Sequence, residues 1–226
     1  IVNMALRDPL PYDLLRDFTP VVRAVYAPIV LLVGSSHKAR TVAELVSYAK
    51  EQQGGASFGS GGVGSTSHLS GELFKRAAGL QAIHVPYKGM AGVFPDVIGG
   101  RIDFTFLSQP DALAQVSGGR MRALAVATSQ RLDAFPGVPS MAELGYKGFE
   151  PSLSWGYLVP KATPEPIVRQ LSDAIQTAVK TPAMQERLRS MGFVVDAGGP
   201  DAYGASIRAE LKLWSQVIRE AGIKPE

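Results

Sequence analysis

The residues best suited to chemistry lie together in one stretch, Phe58-Gly59-Ser60-Gly61-Gly62-Val63-Gly64-Ser65-Thr66-Ser67-His68. It stands between a strand-like segment (56–58) and an apolar helical pattern made by Leu69, Leu73, Phe74 and Ala77. Its glycines let the backbone approach a ligand and adopt positive φ. Ser65, Thr66 and Ser67 supply hydroxyls and a helix N-cap. The first turn of a helix carries unpaired N–H groups and the positive end of the dipole. A strand, a glycine loop and a capped helix start together form a site for an anion. The cradle is neutral, built of amides and hydroxyls, and suits a carboxylate or phosphate that must later be released.

Other motifs share parts of this pattern. Gly59-x-Gly61-x-x-Gly64 matches the dinucleotide fingerprint after a strand, but that motif needs an acid on the next strand for a ribose hydroxyl. The next strand reads Ile83-His84-Val85-Pro86 and has none. A phosphate-binding P-loop needs Lys after its last glycine; Gly64 is followed by Ser65 and Thr66. No Gly-x-Ser-x-Gly elbow centres on Ser60 or Ser65, and no His and acid partners for a nucleophilic serine are recognisable. Asp103 and Asp111 have no fixed separation that would make them an acid–base pair.

Hydrophobic residues at 46% suffice for a core, and a net charge of +3 with no basic run gives no concentrated face for nucleic acid. The absence of cysteine excludes disulfides, thiolate metal sites and a cysteine nucleophile. His37, His68 and His84 lack metal-ligand spacing, so no metal is expected. No apolar stretch approaches the roughly 20 residues of a membrane span. No signal peptide is visible, and a start at Ile1 rather than Met reads as a processed chain or a fragment.

The elements that must position the loop alternate. Strands are expected at 21–33 (interrupted at Pro28), 56–58, 81–85, 102–107, 122–128, 155–159 and 193–195. Helices are expected at 41–53 (capping box Thr41–Glu44), 65–78, 91–98, 110–116, 164–179, 182–191 and 201–221. In 164–179 one face carries Ile167, Val168, Leu171, Ile175 and Val179. Repeated strand–helix–strand units imply an α/β fold with a largely parallel sheet, whose ligands sit at strand carboxyl ends. The glycine loop, Tyr87-Lys88-Gly89 and Leu107-Ser108-Gln109 all follow predicted strands and are placed to converge on one edge.

Ser60 to Leu69, His84-Val-Pro-Tyr-Lys-Gly89, Arg122-Ala-Leu-Ala-Val126, Pro136-x-Val-Pro139-x-x-x-Glu143 and Ile207-Arg-Ala-Glu210-x-x-x-Trp214 occur in that order. Together they resemble the periplasmic solute receptors of tripartite tricarboxylate transporters, the TctC or Bug receptors, over essentially the whole chain. The resemblance implies a periplasmic binding protein type II-like fold of two α/β lobes with a hinge. It places 1–27 and 160–226 in the first lobe and 28–159 in the second, with strands near Trp155 and at 27–33 as the hinge crossing. It implies an extracytoplasmic receptor without catalysis or cofactor. Such a receptor closes on a small carboxylate (a di- or tricarboxylate, amino acid or aromatic acid) and delivers it to membrane transporter subunits. Ser60, Gly61, Gly64, Ser65, Thr66 and Ser67 would hold a carboxylate; Tyr87, Lys88, Gly89 and Gln109 would line the cleft.

Two features depart from the family pattern. The first strand and Pro/Gly-rich loop are missing, so the first lobe is expected to be incomplete. Leu107-Ser108-Gln109-Pro110-Asp111 also replaces the usual Asp-Asn ahead of Leu-Pro-Ser, so ligand identity does not transfer. Residue by residue, Lys88 reads as a ligand cation or a solvated lysine, and Tyr87 as a hydroxyl donor or strand-end packing. His68 reads as a cap or ligand contact, His84 as a hydrogen-bonded core histidine, and Trp155 as hinge packing or a stacking surface. The alternatives to a receptor are the ligand-sensing domain of a transcription regulator and a nucleotide-dependent enzyme.

Overall fold

The structure, a computed structural model, describes residues 1–7 and 9–225. The chain divides into two compact units, Ile1–Ala27 with Leu153–Glu226, and Pro28–Ser152. The crossings fall inside one strand, β1 (Phe18–Gly34), and at the start of another, β6 (Ser152–Pro160).

The unit 28–152 contains the glycine loop. Its sheet runs in the order β3 (Ala82–Pro86), β2 (Ala56–Ser60), β4 (Phe104–Ser108), β1, β5 (Met121–Val126). β2 is parallel to β3 and β4, whereas β1 is antiparallel to β4 and β5. A largely parallel sheet is therefore only half right: β1 enters from the other unit and runs against its neighbours. Residues 27–34 are all buried, as a strand covered on both faces requires. Alternation then divides them. Ile29, Leu31 and Val33 pack with Leu45, Phe58, Phe74, Phe104 and Phe106, while Val30 and Leu32 pack with Val93, Val97 and Leu107.

Pro28 does not break β1. It falls between the stretch paired with β7 (Val194–Gly198), which reaches Tyr26, and the stretch paired with β4, which starts at Ile29. A residue lacking an N–H is tolerated where that ladder does not need one.

Helices α2 (Val42–Glu51), α3 (Thr66–Ala78), α4 (Met90–Ile98) and α5 (Gln109–Ser117) follow β1 to β4 in turn. Thr41 caps α2 by accepting the Glu44 N–H at 3.1 Å, and the Glu44 carboxylate reaches back to the Arg40 N–H at 2.6 Å. Asp103, just before β4, ties this layer together. It accepts from Ser57 N–H and Oγ (2.7 and 2.8 Å) and from the Tyr48 hydroxyl (3.0 Å). Burial alone would raise its pKa, but His37 and these donors outweigh it and hold the carboxyl at about 2.

In the unit made by 1–27 and 153–226, β1 pairs with β6 and β7, with Val25 opposite Val195. Around it lie α1 (Val2–Leu6), α6 (Glu165–Lys180), α7 (Pro182–Ser190) and α8 (Pro200–Ala221). α1 has no counterpart in the periodicity reading, since five residues are too few to show a period. Arg23 joins strand to helix by pairing with Asp196 and donating to Ser206 Oγ at 2.7 Å. Of the apolar face expected on α6, only Val168 is buried; Ile167 and Leu171 are 46% and 39% exposed. Trp155 and Tyr157 on β6 are exposed as well.

The packing of α3 on β2 depends on Gly71. A Cβ there would lie 2.2 Å from Cε2 of Phe58, a fully buried ring stacked at 5.5 Å on Phe104. Helix propensity favours Ala over Gly by about 1 kcal/mol. Overpacking against a ring that cannot retreat costs about 1–3 kcal/mol and should win. Gly71→Ala is thus expected to lower the thermal midpoint by several degrees; an unchanged or raised midpoint in calorimetry would contradict this packing.

Candidate functional site

The parallel register aligns the carboxyl ends of three strands. Ser60 of β2 pairs with Pro86 of β3, and Gly59 pairs with Thr105 of β4. The segments that follow, 61–65, 87–89 and Ser108–Gln109, therefore leave the sheet on one edge, each leading into a helix. The first two loops are joined through their backbones. The Tyr87 N–H donates to Ser60 O at 2.9 Å and the Gly89 N–H to Gly61 O at 3.1 Å.

The glycine loop is braced from inside. Gly62 and Gly64 have φ of 126° and 76°, which L side chains rarely adopt. Ser65 is the N-cap of α3: its Oγ accepts the His68 N–H at 3.3 Å and donates to Gly62 O at 2.7 Å. Ser67 Oγ accepts the Gly61 N–H at 3.1 Å. By helix geometry the N–H groups of Thr66 and Ser67 have no intrahelical acceptor. They lie at the positive end of α3, as an anion site requires.

Gly59 is a different kind of glycine. It lies within β2, and a Cβ on it would meet Val93 Cγ1 at 2.8 Å. The first glycine of a dinucleotide fingerprint makes the tight turn after the strand. Here that position is still in the sheet, so only the spelling of that motif is present.

The residues expected to bind ligand are not equally available. Gly61, Gly64, Ser65 and Thr66 are half-buried at the loop, and Ser67 is buried. Ser60 is fully buried, with its Oγ 2.6 Å from His84 Nε2 and accepting the Gly62 N–H at 3.2 Å, so its hydroxyl is committed to the loop's interior. The Tyr87 hydroxyl donates to Asp96, which also pairs with Arg101. Burial, then the Asp96 hydrogen bond, pushes the Tyr87 pKa up to about 12. Lys88 and Gly89 are exposed, and Lys88 has no ion pair among the described residues. Gln109, the first residue of α5, is buried, and its Oε1 has no hydrogen-bond partner among the described residues.

The sequence reading did not join Ser60 to His84. The signal was faint: register sets Phe58 beside His84, but a strand register is not written in either segment alone. Ser60 and His84 do not complete a nucleophile chain. Among the described residues no carboxylate is hydrogen-bonded to His84, and Ser60 exposes no surface to a substrate. Nor do the described residues contain a group of three or more side chains able to hold a metal ion.

His68 and His84 are stacked, with ring centroids 3.7 Å apart and planes 6° from parallel. Burial, then the neighbouring His84 and Lys75, lowers the His68 pKa to about 4; burial, then Lys75, lowers that of His84 to about 4. Both rings are neutral at neutral pH. The folded protein thus binds fewer protons than the unfolded chain between pH 6.5 and about 4. The contribution of these two histidines to stability should fall as the pH drops through that window and level off below it, where protonation of Asp103 takes over the decline. His84→Gln should reduce the proton uptake on unfolding by about one, measured as the slope of stability against pH; an unaltered slope would show that His84 is not the buried neutral base described.

Residues 4–223 match the family model described as tripartite tricarboxylate transporter family receptor, TctC. A UPF0065 protein from the TAR-I ttuE-ttuC' intergenic region of Agrobacterium vitis is 36% identical over 221 residues, covering 96% of this chain and 64% of its own length. The chain thus spans about two thirds of that relative. The solved structure of R. palustris Rpa4515 with adipate superposes with a TM-score of 0.86 at 32% identity, over 98% of this chain and 74% of its own. MatC (Rpa3494) from Rhodopseudomonas palustris with bound malate gives 0.81 at 27% identity, over 96% of this chain and 75% of its own. Among the described residues no helix is long and apolar enough to cross a membrane. On these grounds the chain belongs to the tripartite tricarboxylate transporter receptor family, the TctC family of Bug-type solute-binding proteins.

Proposed function

We propose that this chain is the solute-recognising part of a periplasmic receptor that holds a small carboxylate and delivers it to the membrane subunits of a tripartite transporter. The observation that carries the proposal is the braced loop at the start of α3, with its positive-φ glycines and the unpaired first-turn N–H groups of Thr66 and Ser67. Gly61, Gly64, Ser65, Thr66 and Ser67 form the carboxylate cradle. Ser60 holds the cradle in shape from below. Tyr87, Lys88, Gly89 and Gln109 line its approaches, with Lys88 supplying an exposed positive charge. Adipate and malate, the acids bound in two similar structures, are dicarboxylates, and this cradle suits one end of such a molecule. Neutral donors and a single cation favour capture with release, since no buried counter-charge fixes the anion permanently.

The test is calorimetric titration and thermal shift with adipate, malate, succinate and citrate, with NAD and ATP as controls. An acid present at about 100 times its Kd should stabilise the protein by about 2.7 kcal/mol, and the nucleotides should do nothing. Gly64→Val places a β-branched residue at φ 76° and should weaken carboxylate binding by at least roughly tenfold. Stabilisation by nucleotides alone would overturn the proposal. Lys88→Gln should weaken acid binding several-fold at low salt, less so at high salt, with the thermal midpoint unchanged. Wild-type affinity in that variant at low salt would remove Lys88 from the site.

A further inference from the structure

We propose that His68 and His84 act as a stacked positioning pair that holds both ends of the glycine loop in the carboxylate-binding shape, and that His68 does so only as a neutral imidazole. The pair is a deeper part of the cradle and rests on the function proposed above. A loop with three glycines between Ser60 and Ser65 is costly to order on its own. Here it is held at two points from beneath. At the strand end, Ser60 Oγ lies 2.6 Å from His84 Nε2. At the helix end, the Gly64 N–H donates to His68 Nδ1 at 3.1 Å. The two rings lie against each other at 3.7 Å, and Phe58 stacks on them at 4.9 and 6.3 Å. One rigid aromatic stack therefore links β2, β3 and α3 to both ends of the loop.

The bond from Gly64 fixes the tautomer. His68 Nδ1 accepts, so its proton sits on Nε2, which faces Glu72 Oε1 at 3.9 Å. A second proton would occupy Nδ1 and leave the Gly64 N–H facing a donor. The charged groups around the stack come from α3: Glu72, and Lys75, which is bound to Glu72 at 2.9 Å and lies 5.8 Å from the Phe58 ring centre. Burial, then the facing His84 imidazole and Lys75, oppose a proton on His68. β2 and β4 contribute Phe58 and Phe104 to this stack.

The test uses two variants at one position. His68→Asn offers an amide oxygen near the Nδ1 position and does not titrate; His68→Leu offers no acceptor. With adipate and malate as probes at neutral pH, the Leu variant should bind roughly tenfold more weakly and the Asn variant nearly as well as wild type. As the pH is lowered from 6.5 towards 4 the acids themselves begin to take up protons, so wild-type affinity should decline more steeply than that of the Asn variant over the same range. In ligand-free protein, the Gly64 amide NMR signal should titrate together with the His68 imidazole and lose that titration in His68→Asn. Wild-type affinity in the Leu variant, or a Gly64 amide indifferent to imidazole protonation, would overturn the proposal. If neither acid binds wild type, the carboxylate assignment fails on its own, and the Gly64 titration still decides whether the pair holds the loop.

Discussion

A helix start leaves N–H groups that the helix itself cannot satisfy, and much of the unit 28–152 is arranged around one such start. At α3 the Ser65 cap takes the His68 N–H, and the loop before it closes on itself through Gly62, Ser67 and Gly64. Those bonds satisfy the loop, and the helix leaves the first-turn amides of Thr66 and Ser67 without an acceptor of its own. The proposed anion cradle is therefore what remains after the local donors and acceptors are paired. Its electrostatic preference comes from the backbone and the helix dipole rather than from a fixed cation.

The sheet determines where that cradle stands. Because β3, β2 and β4 are parallel, their carboxyl ends share an edge, and three helices begin there. Antiparallel β1 does not disturb this edge. It brings a strand buried on both faces into the sheet and supplies apolar side chains to both layers. Phe58 links the two roles. It fills the layer beneath α3, requires a glycine opposite it at position 71, and stacks under the imidazoles that brace the loop. Core packing and site geometry thus share one side chain, so a change meant to probe one disturbs the other.

Family membership and the local chemistry converge from different directions. The family match covers nearly the whole chain, and the structures with adipate and malate share its fold at more than a quarter identity. The geometry independently presents neutral donors, a lone exposed lysine and a buried, committed serine. That combination suits reversible capture. It does not suit nucleophilic attack, which needs an accessible serine with an oriented base.

Much was legible in one dimension. Helix and strand positions came from hydrophobic period and caps, because these act over a few residues and leave local marks: the Thr41–Glu44 capping box at α2 and the Ser65 cap at α3. The braced loop before α3 was legible for the same reason, since glycines, hydroxyls and a helix start are contiguous. The direction of β1, the bond between Ser60 and His84, the loss of the Tyr87 hydroxyl to Asp96 and the exposure of Ile167 and Leu171 were not. Each depends on which distant segment lies alongside, and register and layer order are settled by packing the whole unit. Sequence by itself therefore determined the elements and the family, and pointed to the loop proposed as the cradle. Only the tertiary structure decided which of its polar atoms are already spent holding it together and which are left to meet a ligand.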